Sequence, residues 1–328
     1  MRDDDRLLDY PNPEFGSGII GVCDICGTRQ AVIVLAKERF RLCVIDFLNK
    51  TWIKTEKKPT APPPLYHSDR VFFATTAVPG GRAPAVVLSP TKIVRHPGVL
   101  IVPDIYGITT TVLDAAIRFA REGFEVIVPD LGKTEGLSAG PMILSRGSAR
   151  VRGGVDTASK EVQRLVRLCD DALVHLLERE MLDTAKTSVF GTSFGGSVAL
   201  AFAAQSTRPT AVAVAYPLPL RPPELAKLVT APLLCVVGTA DRTAARAVEQ
   251  LRQALPGEAL VVAEIEGARH QFLSRDLGAY DLAQAEAGWD RILGFVKARL
   301  MPPPPPPPPP PARPVDPLAT PPPKPAAA

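Results

Sequence analysis

The sequence lacks any long apolar run. Its hydrophobic stretches are short and broken by Pro, Gly or charge, so none is long enough to span a bilayer as a helix. No apolar segment follows the polar start Met1-Arg2-Asp3-Asp4-Asp5-Arg6, as a signal peptide would require. These absences set the expectation of a cytoplasmic protein with no membrane partner. Cysteine is scarce. Five residues, an odd number, argue against a disulfide framework in such a compartment. Cys169 and Cys235 lie in apolar segments and are expected to be buried thiols. An excess of one charge is missing too: 38 basic and 34 acidic residues leave a net charge of +4. Without a Lys/Arg stripe or a basic-aromatic repeat, no nucleic-acid partner is expected. Histidine numbers only four, which restricts any search for a general base.

Proline, in contrast, is abundant and unevenly placed: 16 of the 36 lie in the last 28 residues, including the unbroken run Pro302 to Pro311. Proline lacks an amide donor and favours polyproline II, so residues 301–328 read as a solvated, semi-rigid, disordered tail outside any core. A proline-recognising protein partner is the other reading of that tail. Four further zones precede it. Residues 1–18 are polar and expected to be disordered. Residues 19–54 carry three cysteines and alternating stretches such as Ala31 to Leu35 and Arg41 to Val44, and read as a small finger-like domain. Residues 55–65, with Pro59 and Pro62-Pro63-Pro64, read as a linker.

Residues 66–300 form the main domain. Val71 to Val78 and Ala83 to Ser89 read as paired strands around the turn Pro79-Gly80-Gly81. The rhythm then becomes strand–helix alternation. Gly98 to Pro103 is a continuous apolar run of the buried parallel type, followed by a helix near 111–122 and a strand at Phe124 to Pro129. A helix near 157–181, a strand at Thr187 to Gly191 and a helix from Gly195 to Gln205 come next. Strands at 211–216, 232–238 and 259–264 and helices at 242–255 and 279–300 complete the pattern. It predicts an α/β fold: a mostly parallel sheet with helices on both faces. Functional residues are then expected on loops beyond the carboxyl ends of the strands.

Gly191-Thr192-Ser193-Phe194-Gly195, followed by Gly196, has the G-x-S-x-G shape. The context sharpens it, because a β-branched run ends at Phe190 and a small-residue helix follows. Such a turn forces Ser193 into a strained conformation with its hydroxyl out over the sheet, while the glycines admit close backbone approach. The Phe194 N–H, at the amide end of the helix, is a natural oxyanion donor. A serine hydroxyl needs a base, and only His270 follows Ser193 in the chain. Asp241, after the strand that ends Val236-Val237-Gly238, can orient the imidazole, although an aspartate there also suits a plain helix cap. The order Ser, Asp, His is that of the strand–elbow–helix hydrolases. A second oxyanion donor is expected from the loop Pro103-Asp104-Ile105-Tyr106-Gly107, with the Ile105 amide first. Asp104 is expected either to line the pocket with Tyr106 or to hold the loop through hydrogen bonds.

These residues together resemble the dienelactone hydrolase family of α/β-hydrolases over roughly residues 84–300. The resemblance is carried by Pro103 to Gly107, which is similar to the family's E-x-x-G segment, and by Phe119 to Leu131, whose end Pro129-Asp130-Leu131 matches the family's P-D-L. The elbow, Asp241, the segment Gly267 to Phe272 and the final helix from Tyr280 through Trp289 to Phe295 fit as well. The best known family members carry Cys as nucleophile and Glu in the first loop; here Ser193 and Asp104 stand there. The resemblance implies a serine hydrolase acting on a small carboxylester or lactone through an acyl-enzyme on Ser193, with no cofactor needed for catalysis. Peptidase and acyltransferase chemistry could draw on the same triad. Arg146, Arg150 and Arg152 are read either as an anion-binding group or, more simply, as solvated surface.

Cys23-Asp24-Ile25-Cys26 has the C-x₂-C shape of a zinc knuckle, and Cys43 with Asp46 could complete a Cys₃Asp site. A structural zinc and a degenerate finger held by other packing are both open readings, and a finger of either kind could contact a protein. The alternative to an enzyme is an inactive hydrolase-fold scaffold that binds partners through the finger and the proline tail.

Overall fold

The computed structural model of the protein describes residues 66–130, 154–275 and 278–301, except positions 79 and 106, together with two short strands at 33–35 and 40–42. Those two, β1 (Ile33–Leu35) and β2 (Phe40–Leu42), pair antiparallel. The residues expected to form a disordered N-terminus and a linker, the proline-rich tail beyond Met301 and the finger-like span 19–54 apart from those two strands lie outside the described residues, as do Cys23, Cys26, Cys43, Asp46, Arg146, Arg150, Arg152 and Tyr106.

The remaining strands are β3 (Tyr66–Ala74), β4 (Arg82–Pro90), β5 (His96–Val102), β6 (Glu125–Pro129), β7 (Val155–Asp156), β8 (Leu182–Thr192), β9 (Ala211–Ala215), β10 (Leu220–Arg221), β11 (Leu233–Gly238) and β12 (Leu260–Ile265). Eight of them make one sheet in the order β12-β11-β9-β8-β5-β6-β4-β3. From β6 to β12 every pairing is parallel, and only β4 runs against its neighbours β3 and β6. This is the α/β-hydrolase arrangement. The early hairpin expected at Val71 to Val78 and Ala83 to Ser89 is present, but its first strand is shifted toward the N-terminus, starting at Tyr66 and ending at Ala74, in full register from Tyr66↔Pro90 to Ala74↔Arg82. The short pair β7–β10, parallel and two residues long, carries no signal in the sequence because so few residues define it.

Five helices, α1 (Thr110–Arg121), α2 (Lys160–Leu177), α3 (Ser193–Ala203), α4 (Arg242–Ala254) and α5 (Leu282–Leu300), cover the sheet. Their starts are chemically marked. Thr109, Ser159, Asp241 and Asp281 each accept a hydrogen bond from an amide in the first turn, satisfying donors that the helix itself leaves free. Helix α3 differs in kind: every residue is buried, so it runs through the interior and not over the surface.

Parallel strands covered on both faces should read as unbroken apolar runs. Accordingly β5, β6, β9 and β11 are buried along their whole length. On the α1–α5 face an aromatic cluster fills the space under β8. Phe190 lies 5.6 Å from Phe119 and 5.4 Å from Trp289, ring centre to ring centre, and Phe119 meets Trp289 at 6.2 Å. Arg118 covers the Trp289 ring at 5.2 Å and bonds Glu286 across to α5 through both terminal nitrogens. The cluster seats the last helix against the strand that ends in the elbow. Trp289 is 2% exposed. Trp289→Ala is therefore expected to cost roughly 3–5 kcal/mol of stability, read as a lowered midpoint in urea unfolding with unchanged slope; a cost under about 1 kcal/mol would contradict this packing.

Candidate active site

The carboxyl ends of five parallel strands each deliver one residue to the same place. Asp104 follows β5, Ser193 follows β8, Tyr216 follows β9, Asp241 follows β11 and His270 follows β12. This is the edge at which open α/β sheets bind ligands.

The elbow begins in mid-sheet, with Gly191 paired to Val102 of β5 on one side and Val214 of β9 on the other. Ser193 takes a left-handed backbone conformation, φ 49°, which is costly for a residue with a side chain. Helix α3 starts at Ser193 itself and not, as the sequence suggests, at Gly195, so the nucleophile candidate is the first helical residue. Main chain packs against main chain around it. A Cβ on Gly195 would lie 2.5 Å from the carbonyl oxygens of Val102 and Pro103, and one on Gly191 would lie 2.5 Å from that of Gly195. The glycines of the motif are thus demanded by distance. Beyond the elbow, Ser197 is fully buried; its hydroxyl donates to the Leu218 carbonyl at 2.9 Å and accepts from the Leu218 amide at 2.8 Å, tying α3 to the segment after β9.

The three residues singled out by motif and chain order meet. Ser193 Oγ stands 3.1 Å from His270 Nε2, and His270 Nδ1 stands 2.7 Å from Asp241 Oδ2. The carboxylate accepts only, so the proton of the neutral imidazole belongs on Nδ1 and leaves Nε2 to accept from the serine hydroxyl. Asp241 fills both roles that its sequence position allows. Oδ2 takes the histidine, while Oδ1 caps α4 by accepting from the Thr243 and Ala244 amides at 2.9 and 3.0 Å. Burial of this carboxylate works to raise its pKa, but the His270 bond and the two amides outweigh it and hold the group below its ordinary range. It therefore stays ionised, and the stability it contributes is present above the ordinary aspartate pKa and lost only as the pH falls through its lowered value.

The loops bearing Asp241 and His270 are stitched together. Thr239 N–H donates to Ile265 O, Ala240 N–H to Ala268 O and Gly267 N–H to Thr239 Oγ1, all within 3.0 Å. A Cβ on Gly238 would lie 2.0 Å from the Ala268 carbonyl oxygen, so the two loops approach as closely as backbone allows. The sequence marks Gly238 only as a strand end. Tyr216 was equally hidden in it. This residue, fully buried and with φ 39°, sets its ring edge-on to His270 at 5.2 Å and to Phe272 at 5.5 Å. Ser193, Tyr216 and Gln271 are the non-glycine residues with positive φ among the described residues, and all three belong to this site.

One of the two expected oxyanion donors is engaged by a group of the protein itself: the Ile105 amide donates to Asp104 Oδ1 at 2.7 Å. Burial dominates the Asp104 carboxyl and pushes it up to about 6, against that hydrogen bond. Cys169 and Cys235 are buried free thiols, raised in pKa by the same desolvation, and stand apart from this chemistry. Among the described residues no cluster of three or more His, Cys, Asp or Glu could hold a metal ion, and no helix is long and apolar enough to cross a membrane.

Residues 83–300 match the model of the dienelactone hydrolase family. A carboxymethylenebutenolidase of Rhodococcus opacus is 27% identical over 220 residues, spanning 62% of this chain and 81% of that protein. Among solved structures, a dienelactone hydrolase-like promiscuous phosphotriesterase from metagenomic libraries superposes with a TM-score of 0.57 at 19% identity, covering 72% of this chain and 99% of that one. The acylaminoacyl peptidase of Pyrococcus horikoshii shares the fold with a TM-score of 0.54 at 13% identity, over 78% of this chain and 44% of the other.

Two outcomes test this geometry. Gly238→Ala should push the Asp241 and His270 loops apart and lower hydrolase kcat by about 10²-fold, the scale of a 1 Å misplacement; unchanged kcat in the folded variant would refute the close approach. The Asp104 shift has the opposite sign to that of Asp241. A carboxyl raised in the folded state costs stability as the pH rises from its unfolded value of 3.8 through about 6. The stability advantage of Asp104→Asn over the native chain should then grow by roughly 2–3 kcal/mol between pH 4 and pH 7, measured by urea unfolding at each pH.

Proposed function

The chain belongs to the dienelactone hydrolase family, and from that premise we propose that it cleaves a carboxylic ester or lactone through an acyl-enzyme on Ser193. The observation that carries this reading is the continuous hydrogen-bond chain from Ser193 Oγ through His270 to Asp241, at 3.1 and 2.7 Å.

The chemistry follows from those contacts. His270 Nε2 takes the hydroxyl proton as Ser193 Oγ attacks the substrate carbonyl carbon. The imidazolium that forms is stabilised by the ionised Asp241, which also fixes the ring so that Nε2 keeps facing the serine. Negative charge gathering on the carbonyl oxygen is met by the Ile105 and Phe194 main-chain N–H groups and by the amino end of α3. His270 then gives its proton to the departing alkoxide oxygen. In a lactone that oxygen stays attached to the acyl group, so ring opening and acylation are one event. Water, deprotonated by His270, releases the acid and restores Ser193.

The substrate class comes from the family and from the butenolide hydrolysed by the Rhodococcus relative that its name records. His270 supports this reading through its position, since its side chain remains 27% exposed while Asp241 behind it is 1% exposed. Solvent and substrate reach the base but not the carboxylate.

A fluorophosphonate probe is expected to label Ser193 covalently, and Ser193→Ala to abolish that labelling. Hydrolysis of a panel of p-nitrophenyl esters and small lactones should fall by roughly 10⁴-fold or more in Ser193→Ala and in His270→Ala. Labelling that persists in folded Ser193→Ala would end the proposal.

A further inference from the structure

We propose that the Tyr216 ring is the positioning residue of deacylation: it holds His270 in place when the serine can no longer do so. The proposal rests on the acyl-enzyme reading above and deepens it by one residue and one step.

The imidazole of the free protein is held at both nitrogens, by Asp241 Oδ2 at Nδ1 and by the Ser193 hydroxyl at Nε2. Once Oγ carries the acyl group it has no proton to donate. The partner at Nε2 is then lost, and the bond at Nδ1 is a single point about which the ring can swivel. The His270 side chain is 27% exposed, so there is open space to swivel into. Deacylation nevertheless needs Nε2 aimed at the incoming water. That water gives a proton to Nε2 as its oxygen bonds to the acyl carbon, and the carbonyl electron pair moves onto the carbonyl oxygen. When the pair returns, the bond from carbon to Oγ breaks and the Nε2 proton passes to Oγ.

The Tyr216 ring is a contact that acylation leaves intact. Its centre lies 5.2 Å from that of the His270 ring, with the two planes at 65°, and it stands as a wall against the swivel. The wall is itself fixed. Tyr216 is fully buried, its ring meets Phe272 at 5.5 Å, and its amide donates to the Val236 carbonyl at 2.7 Å, which ties it to β11. The hydroxyl has no such anchor: it is buried and has no hydrogen-bond partner among the described residues. A buried O–H left without a partner is unfavourable, and so is the backbone φ of 39°. Both costs are borne at a position where the ring is what the site uses.

The test compares native protein with Tyr216→Leu, Tyr216→Met and Tyr216→Phe, each confirmed as folded by its thermal melt. The readouts are steady-state and rapid-mixing hydrolysis of p-nitrophenyl acetate and the rate of fluorophosphonate labelling at Ser193. Loss of the ring in the Leu and Met variants is expected to lower kcat by at least about tenfold, with KM falling by the same factor. The ratio kcat/KM, which reports acylation, and the labelling rate then stay within about threefold of native. A burst of p-nitrophenol approaching the enzyme concentration should precede the slowed steady state, because acyl-enzyme accumulates. Tyr216→Phe, which returns the ring without the hydroxyl, should restore kcat. The proposal is overturned if kcat/KM and labelling fall as far as kcat, the mark of a merely structural role. Unchanged kcat in a ringless variant overturns it too, as does a Phe variant as slow as the ringless ones. Either ringless variant that folds is decisive; should neither fold, the ring serves the fold and the proposal is lost. Native protein that takes no label strikes instead at the acyl-enzyme reading, so the two failures are distinguishable.

Discussion

The site depends on main chain approaching main chain with no side chain between. At the elbow a Cβ on Gly195 would collide with two carbonyl oxygens of the β5 exit, and at the far side of the site a Cβ on Gly238 would collide with the carbonyl of Ala268. The first contact brings the Ile105 amide beside the Ser193 turn; the second brings the Asp241 loop against the His270 loop. Neither contact could be reproduced by larger residues without moving a strand of the central sheet. The geometry of the site is therefore a property of how closely the strand exits of β5, β8, β11 and β12 can be stacked, more than of any one side chain.

Around those contacts the protein holds strain and charge that a purely structural core would avoid. Ser193, Tyr216 and Gln271 sit at positive φ, each at a cost of about 1–3 kcal/mol. Two aspartates are withdrawn from solvent, with opposite results. Asp241 is given a histidine and two helix amides and stays charged, so one side chain both caps α4 and orients the His270 ring. Asp104 is given the Ile105 amide but is dominated by burial. The aromatic cluster of Phe119, Phe190 and Trp289 and the buried helix α3 supply the packing against which these costs are carried.

Much of this was legible in the chain itself. Apolar runs such as Gly98 to Val102 and Phe124 to Pro129 marked buried parallel strands, because a strand covered on both faces has no polar side to alternate with. The G-x-S-x-G turn was readable because its glycines answer a steric demand local to five residues. His270 followed by elimination from four histidines, and Asp241 from chain order. What stayed hidden had only distant partners. Tyr216 reads as the end of a strand, yet its ring packs on a residue 54 positions later. Ser197 is one small residue among several in α3, and its bonds to Leu218 exist only because the helix and that segment cross. The alternatives left open for Asp104, pocket or loop support, could not be separated along the chain, since the burial that raises its carboxyl is set by the fold.

By itself the sequence determined the class of fold, the elbow and the identity of the three polar residues of the hydrogen-bond chain, because each rests on local periodicity, local sterics or the order of elements. Only the tertiary structure decided that Asp241 serves helix and histidine at once, that Gly238 lets two loops touch, and that Tyr216 packs edge-on against His270. Those outcomes are distances between strand exits far apart in the chain, and such distances are fixed by how the sheet and its helices pack together.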